Sequence, residues 1–141
     1  MATFETEPRT EADIERALRG QGERYPTIVI ERDGEVVAWA GAAEYRARRC
    51  YAGVGEHSVY VTRTERGKGY GRAAMRALIA ACEERGFWKL VSRVFPENGA
   101  TLALHRDLGF REVGVYRRHG KLDGTWRDTV IVELLIGDAA R

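Results

Sequence analysis

Apolar residues recur along this chain with two different periods, and the switches between them mark out its elements. Thr27-Ile28-Val29-Ile30-Glu31-Arg32 and the run from Val36 to Glu44 both read as strands. Between them stands Asp33-Gly34, a pair suited to a two-residue hairpin turn. Ser58-Val59-Tyr60-Val61-Thr62 is β-branched and aromatic, which predicts a buried strand. From Gly71 to Glu84 the period changes: Ala74, Met75, Leu78, Ile79 and Cys82 recur at threes and fours, so an amphipathic helix is expected, stopped by Gly86. Lys89 to Phe95 returns to a strand, Pro96-Glu97-Asn98-Gly99 to a turn, and Ala100 to Leu108 to a short helix with Gly109 as its C-cap. Arg111 to Arg118 and Arg127 to Leu135 predict a last hairpin around Lys121-Leu122-Asp123-Gly124. Ahead of all these, Glu11 to Leu18 suits a short helix, with Thr10 as N-cap and Gly20 and Gly22 beyond its end. The order is helix, three strands, helix, strand, helix, two strands, a mixed α/β pattern.

Composition narrows the picture without changing it. A chain of 141 residues is expected to form one domain spanning 1–141, and 44% hydrophobic against 31% charged residues describes an ordinary globular protein. The 23 basic and 21 acidic residues nearly cancel, so the chain lacks the excess expected of a protein that wraps nucleic acid or coats an anionic membrane. Cys50 and Cys82 form neither a disulfide framework nor a zinc spacing and read as reduced structural thiols. The N-terminus has no basic and apolar signal pattern, and no apolar run reaches the ~20 residues of a membrane span. A cytoplasmic protein without metal, membrane or nucleic acid is the expectation.

The chemistry concentrates where a strand meets a helix. Arg66-Gly67-Lys68-Gly69-Tyr70-Gly71 follows the strand that ends at Thr62 and opens the helix at Arg72. Glycines let the backbone turn tightly and come close to a ligand, and the first amides of a helix lack intrahelical acceptors. The helix dipole and the local cations Arg63, Arg66, Lys68 and Arg72 would favour a diphosphate there. The competing reading is a solvated basic loop whose glycines serve only the turn. A Walker A ending in GK[ST] is absent, as is a dinucleotide GxGxxG with its ribose carboxylate.

Arg66-x-x-Gly69-x-Gly71 between a strand and a helix, followed by Asn98, the helix of Ala103, Leu104 and His105, and Leu108-Gly109-Phe110, resembles the GNAT superfamily of acetyl-CoA-dependent N-acetyltransferases. A narrower likeness runs along the chain: Phe4-Glu5-Thr6-Glu7-Pro8, Glu23-Arg24-Tyr25-Pro26, Arg46-Ala47-Arg48, Tyr51, Glu56-His57-Ser58-Val59-Tyr60-Val61, and Gly120-Lys121-x-x-Gly124-x-Trp126-x-Asp128. These blocks resemble the phosphinothricin (glufosinate) N-acetyltransferase branch, which includes enzymes acting on methionine sulfoximine and similar amino-acid analogues.

The resemblance implies a central mixed sheet splayed around Val59 to Val61 and flanked by helices, with acetyl-CoA as co-substrate and a small amine as acceptor. Val59, Tyr60 and Val61 would pair with the pantetheine arm, Asn98 would hydrogen-bond it, and Arg66 to Arg72 would hold the diphosphate. Glu56, expected just before the central strand, is implied as the base that takes a proton from the amine. His105 matches a histidine near the active site, and its ordinary pKa suits either proton transfer or a hydrogen bond. A lone helical histidine serves structure at least as often, and His57 and His119 are weaker candidates. Arg48 and Tyr51 would bind anionic oxygens of the substrate, with Phe4, Tyr60 and Trp126 along its side. The branch is dimeric and carries roughly thirty residues ahead of the Phe4 block, a first strand and helix that this sequence starts without. A second subunit is therefore expected to cover the sheet edge. Two other readings stay open: an acyl-CoA-binding or assembly partner without catalysis, and an acetyltransferase for protein N-termini.

Overall fold

The two hydrophobic periods fold into one six-stranded sheet and two helices in the computed structural model, which describes residues 24–141. The helix expected at Glu11 to Leu18 and the candidate Phe4 lie outside the described residues. Strands β1 (Thr27–Arg32) and β2 (Glu35–Glu44) pair antiparallel around Asp33 and Gly34, with φ of 53° and 81°. Left-handed backbone at both turn positions matches the twist of the flanking strands, which is why Asp-Gly is favoured there.

The central strand β3 (Val54–Val61) begins four residues earlier than expected, so Glu56 and His57 stand on the strand and not ahead of it. Two glycines hid its start. A Cβ on Gly53 would lie 2.0 Å from the Trp88 ring, and one on Gly55 would lie 3.1 Å from the Leu90 side chain. Close packing demands those glycines, whereas in the sequence they read as loop.

Helix α1 (Tyr70–Glu84) buries Ala74, Met75, Leu78 and Cys82 against the sheet, as its periodicity required. It is followed by β4 (Lys89–Val94), helix α2 (Gly99–Asp107), β5 (Arg111–Leu122) and β6 (Thr125–Leu135). The last hairpin is longer than expected, because pairing continues to Leu122↔Thr125 around Asp123 and Gly124, with φ of 50° and 76°. Register shifts at Glu112/Gly114 and Tyr116/Gly120 interrupt the alternation along β5 and left no two-residue period to read. No helix among the described residues is long and apolar enough to cross a membrane.

The strand order β1-β2-β3-β4-β6-β5 makes β3 and β4 the central, parallel neighbours. Their register covers only Val54↔Lys89, Gly55↔Leu90 and Glu56↔Val91. Beyond it β3 continues along β2 as far as Ala38↔Val61, while β4 continues along β6 as far as Val94↔Val130. The sheet therefore splays just after Glu56. Ser92 Oγ donates to the His57 carbonyl at 2.9 Å inside that fork, and the facing edge of Ser58 to Val61 has no strand partner among the described residues.

Candidate active site

A cleft of about 510 Å³ lies along the open edge of β3, walled by the loop before α1 and by α2. Gly67 and Gly69 take φ of 80° and 84°, which lets the backbone turn sharply into the helix. The first intrahelical bond there is Ala73 N–H to Gly69 O at 3.1 Å, so the amides of Tyr70, Gly71 and Arg72 have no acceptor within the helix. A Cβ on Gly71 would stand 3.1 Å from Val61, so glycine lets α1 start hard against β3.

Of the residues expected to hold the cofactor, the structure brings Val59, Val61, Arg66, Gly67, Gly69, Tyr70, Gly71, Arg72 and Asn98 to this one cleft. Asn98 also caps α2, accepting from Thr101 N–H at 3.2 Å through its side-chain oxygen. Two expected residues stand apart. Tyr60 turns its ring to the other face of the sheet, where it packs with Trp39, and Lys68 pairs with Glu65 at 2.7 Å. Arg72 is likewise engaged, with Asp107 at 2.6 Å, which leaves Arg63 and Arg66 as cations without an ion pair among the described residues. Unsatisfied amides, a helix N-terminus and an uncommitted arginine fit a diphosphate, and an unpaired strand edge fits an amide-bearing arm.

Glu56 sits at the fork of the sheet, half-buried, and accepts a hydrogen bond from Arg93 Nη2 at 2.8 Å. Arg93 Nη1 lies 3.3 Å from His119 Nε2, which brings the outer part of the β5–β6 hairpin into contact with this pair. Sequence reasoning missed Arg93. Its one trace is the alternation along β4, where Leu90, Ser92 and Val94 are buried and Arg93 falls between them on the opposite face. Arg48 and Tyr51 belong to the connection that leaves β2 at Glu44 and enters β3 beside its paired Gly55, the same end of β3 as Glu56. Tyr51 is exposed and meets Tyr45 edge to face at 5.8 Å, and the Arg48 guanidinium makes no ion pair or hydrogen bond among the described residues. Neither residue lines the cleft. Trp126 is exposed beside Lys121, whose ammonium stands 5.0 Å over its ring.

His105, expected to serve proton transfer, a hydrogen bond or structure alone, does not line the cleft. It is buried on α2, packed on Phe110, with Nδ1 2.7 Å from the Thr101 carbonyl and Nε2 2.9 Å from His57 Nε2. A carbonyl can only accept, so Nδ1 of His105 carries the proton and its bare Nε2 accepts from His57 Nε2–H. Burial pushes His105 down to about 4, against the opposing pull of the Thr101 carbonyl. Burial, then the neighbouring His105, hold His57 well below its ordinary range. Both rings are therefore neutral at pH 7. Cys50 is exposed and Cys82 is buried, both as free thiols, and burial raises Cys82 to about 12, so it is not a thiolate nucleophile at neutral pH. Among the described residues no cluster of three or more His, Cys, Asp or Glu side chains is placed to hold a metal ion.

Comparison with known proteins adds to this geometry. The profile of the Acetyltransferase (GNAT) family matches residues 1–110. A phosphinothricin N-acetyltransferase of Alcaligenes faecalis is 35% identical over 134 residues, covering 94% of this chain and 68% of that protein. The solved structure of a phosphinothricin acetyltransferase from Sinorhizobium meliloti in complex with AcCoA superposes with a TM-score of 0.84 at 31% identity, covering 97% of this chain and 75% of that one. A ribosomal-protein-alanine N-acetyltransferase from Brucella melitensis superposes with a TM-score of 0.86 at 29% identity, covering 96% of this chain and 85% of that one. The chain spans 64% to 68% of the length of several curated relatives that it matches.

Proposed function

The chain belongs to the acetyltransferase (GNAT) family, and on that footing we propose that it is an acetyl-CoA-dependent N-acetyltransferase acting on the amino group of a small, amino-acid-like substrate such as phosphinothricin or methionine sulfoximine. The observation that carries this reading is the open edge of β3, which runs from the glycine loop at one end to Glu56 at the other. The amides of Tyr70, Gly71 and Arg72, with Arg66, take the diphosphate. Backbone groups of Val59 to Val61 and the side chain of Asn98 take the pantetheine arm, which directs it toward the fork of the sheet. Acetyl-CoA supplies an acetyl thioester, already activated toward amines.

An amine attacks only when it is neutral, so a base must take the ammonium proton, and Glu56 serves as that base, directly or through one water. A strand N–H near Tyr60 meets the oxygen of the carbonyl under attack, a donor fixed in place before the reaction starts. Transfer is direct, with no acyl-enzyme. His105 supports the site from within the core, its tautomer fixed by Thr101 and its ring held by His57. Arg48 and Tyr51 reach anionic oxygens at the outer end of the substrate. The enzyme's co-substrate would be drawn from the cytoplasmic pool of acetyl-CoA. The exposed apolar side chains Val113, Val115 and Tyr116 along the edge strand β5 support a homodimer.

The test has two parts. Titration calorimetry with acetyl-CoA is expected to give one site per chain, and thiol release is expected with phosphinothricin or methionine sulfoximine in a panel of amines. Cofactor binding with no thiol released by any amine would instead favour an acyl-CoA-binding partner. The likeness to a ribosomal-protein-alanine N-acetyltransferase favours a second reading, in which the amine is a protein N-terminus. Alanine-initiated peptides in the same panel separate the two, because the small-substrate reading fails if only the peptides are turned over.

A further inference from the structure

Glu56 does not wait alone at the fork. Arg93 donates to it through one nitrogen, Nη2, at 2.8 Å, and a second guanidinium nitrogen, Nη1, faces His119 Nε2 at 3.3 Å. The remaining guanidinium protons have no acceptor among the described residues, and no second donor reaches Glu56 there. Both side chains keep about a third of their surface open, 33% for Arg93 and 27% for Glu56. The pair is thus neither a buried structural bridge nor a loose surface contact. It stands where β3 and β4 part, one residue past Ser92 on β4, at the end of the open edge to which the acetyltransferase reading assigns the thioester arm.

We propose that Arg93 reads the α-carboxylate of the amine substrate, and that its ion pair with Glu56 holds the place that the substrate's own charges then take. This rests on the acetyltransferase reading above. An α-amino acid carries its ammonium and its carboxylate on one carbon, so the protein groups that receive them must also be neighbours of opposite charge. Glu56 and Arg93 are such neighbours. Arg93 turns its free fork to the carboxylate, a geometry that a guanidinium satisfies with two parallel hydrogen bonds. Glu56 is thereby released onto the ammonium beside it. A pair that keeps about a third of its surface open to water is screened by it, so the exchange is not opposed by a large loss. His119, exposed on β5, accepts from Arg93 in its neutral form and steadies the guanidinium from the side away from Glu56. Arg48, on the connection ahead of β3, is left for a second oxyanion farther along the substrate.

Binding can be read without turnover. The protein saturated with coenzyme A is titrated calorimetrically with L-methionine sulfoximine and with the amine that results from removing its carboxylate. The intact chain is expected to bind the amino acid at least about tenfold more tightly than the amine, the scale of a charge-assisted pair. Arg93→Gln should shrink that preference to about twofold or less, leaving the amine and acetyl-CoA bound as before, and Arg93→Lys should fall between because it keeps charge without the fork. Both variants should melt within a few degrees of the parent, about the shift of a surface substitution. Equal loss of both ligands in Arg93→Gln, an undiminished preference, or no preference in the intact chain would each overturn the proposal. Selective binding through Arg93 without thiol release from acetyl-CoA would sustain it and overturn the catalytic reading instead.

Discussion

Glu56 and His57 follow one another on β3, yet the pleat sends their side chains to opposite faces of the sheet and into opposite chemistry. On one face Glu56 is half-buried, paired with Arg93, and open to the fork between β3 and β4. On the other, His57 is sealed beneath α2 against His105 and Phe110. The comparison separates two kinds of titratable group that look equally promising in a sequence. A carboxylate in contact with solvent and a guanidinium can exchange partners. An imidazole pair without water loses its charge and becomes packing with directional hydrogen bonds.

The deepest test of that contrast is Glu56→Gln, which keeps the shape and removes the base. Turnover is expected to fall about 10²- to 10⁴-fold while acetyl-CoA affinity is unchanged, by thiol release and calorimetry respectively. Unchanged turnover would move the base elsewhere. His105→Ala probes the other face, leaving a cavity and a His57 Nε2–H without its acceptor. It is expected to cost roughly 3 kcal/mol of stability in urea denaturation. A loss of turnover as deep as that of Glu56→Gln, with stability intact, would instead assign His105 to the chemistry.

Acid should find the buried face first. His105 is held down to about 4 in the folded chain, whereas in the unfolded chain it titrates near its ordinary value of about 6.5. Between those values the unfolded chain binds the extra proton, so the stabilisation is complete above about pH 6.5 and is lost as pH falls toward 4. The unfolding free energy read by urea denaturation is therefore expected to fall over that window, by an amount on the order of 2 kcal/mol at pH 5. The slope should flatten in His105→Ala, and an equally steep slope there would assign the proton uptake to other groups. Gly69→Ala touches neither face and should have the smallest effect. No heavy atom lies within 4 Å of the added Cβ, so only the positive φ of 84° opposes it. A cost of about 1 kcal/mol and a few-fold weaker acetyl-CoA binding are expected. A larger loss of affinity would mean that the loop amides are placed more finely than their backbone angles imply.

Much of the frame could be read before any coordinates. The two Asp-Gly turns, the periodicity of α1 and the glycine loop at its start follow from φ preferences and from spacings of three and four, all local properties. The nine expected cofactor residues that share a cleft do so because the loop, the end of β3 and the start of α1 are contiguous in the chain, with only Asn98 arriving from a distance. Reading failed where local signals pointed the wrong way. Gly53 and Gly55 looked like loop, yet they flank and enter the start of β3, fitted against Trp88 and Leu90. His105 looked titratable, and its sequence neighbours gave no hint that His57 would close over it.

The sequence by itself determined the order of the elements from β1 to β6, both hairpin turns and the helix start suited to an anion, because backbone sterics and short-range periodicity act within a few residues. Only the tertiary structure decided that β3 and β4 pair over three residues and then part, and that Arg93 meets Glu56 across a separation of 37 positions. Contacts of that range depend on strand register, which is set by how distant faces pack and leaves no mark on either residue's neighbours.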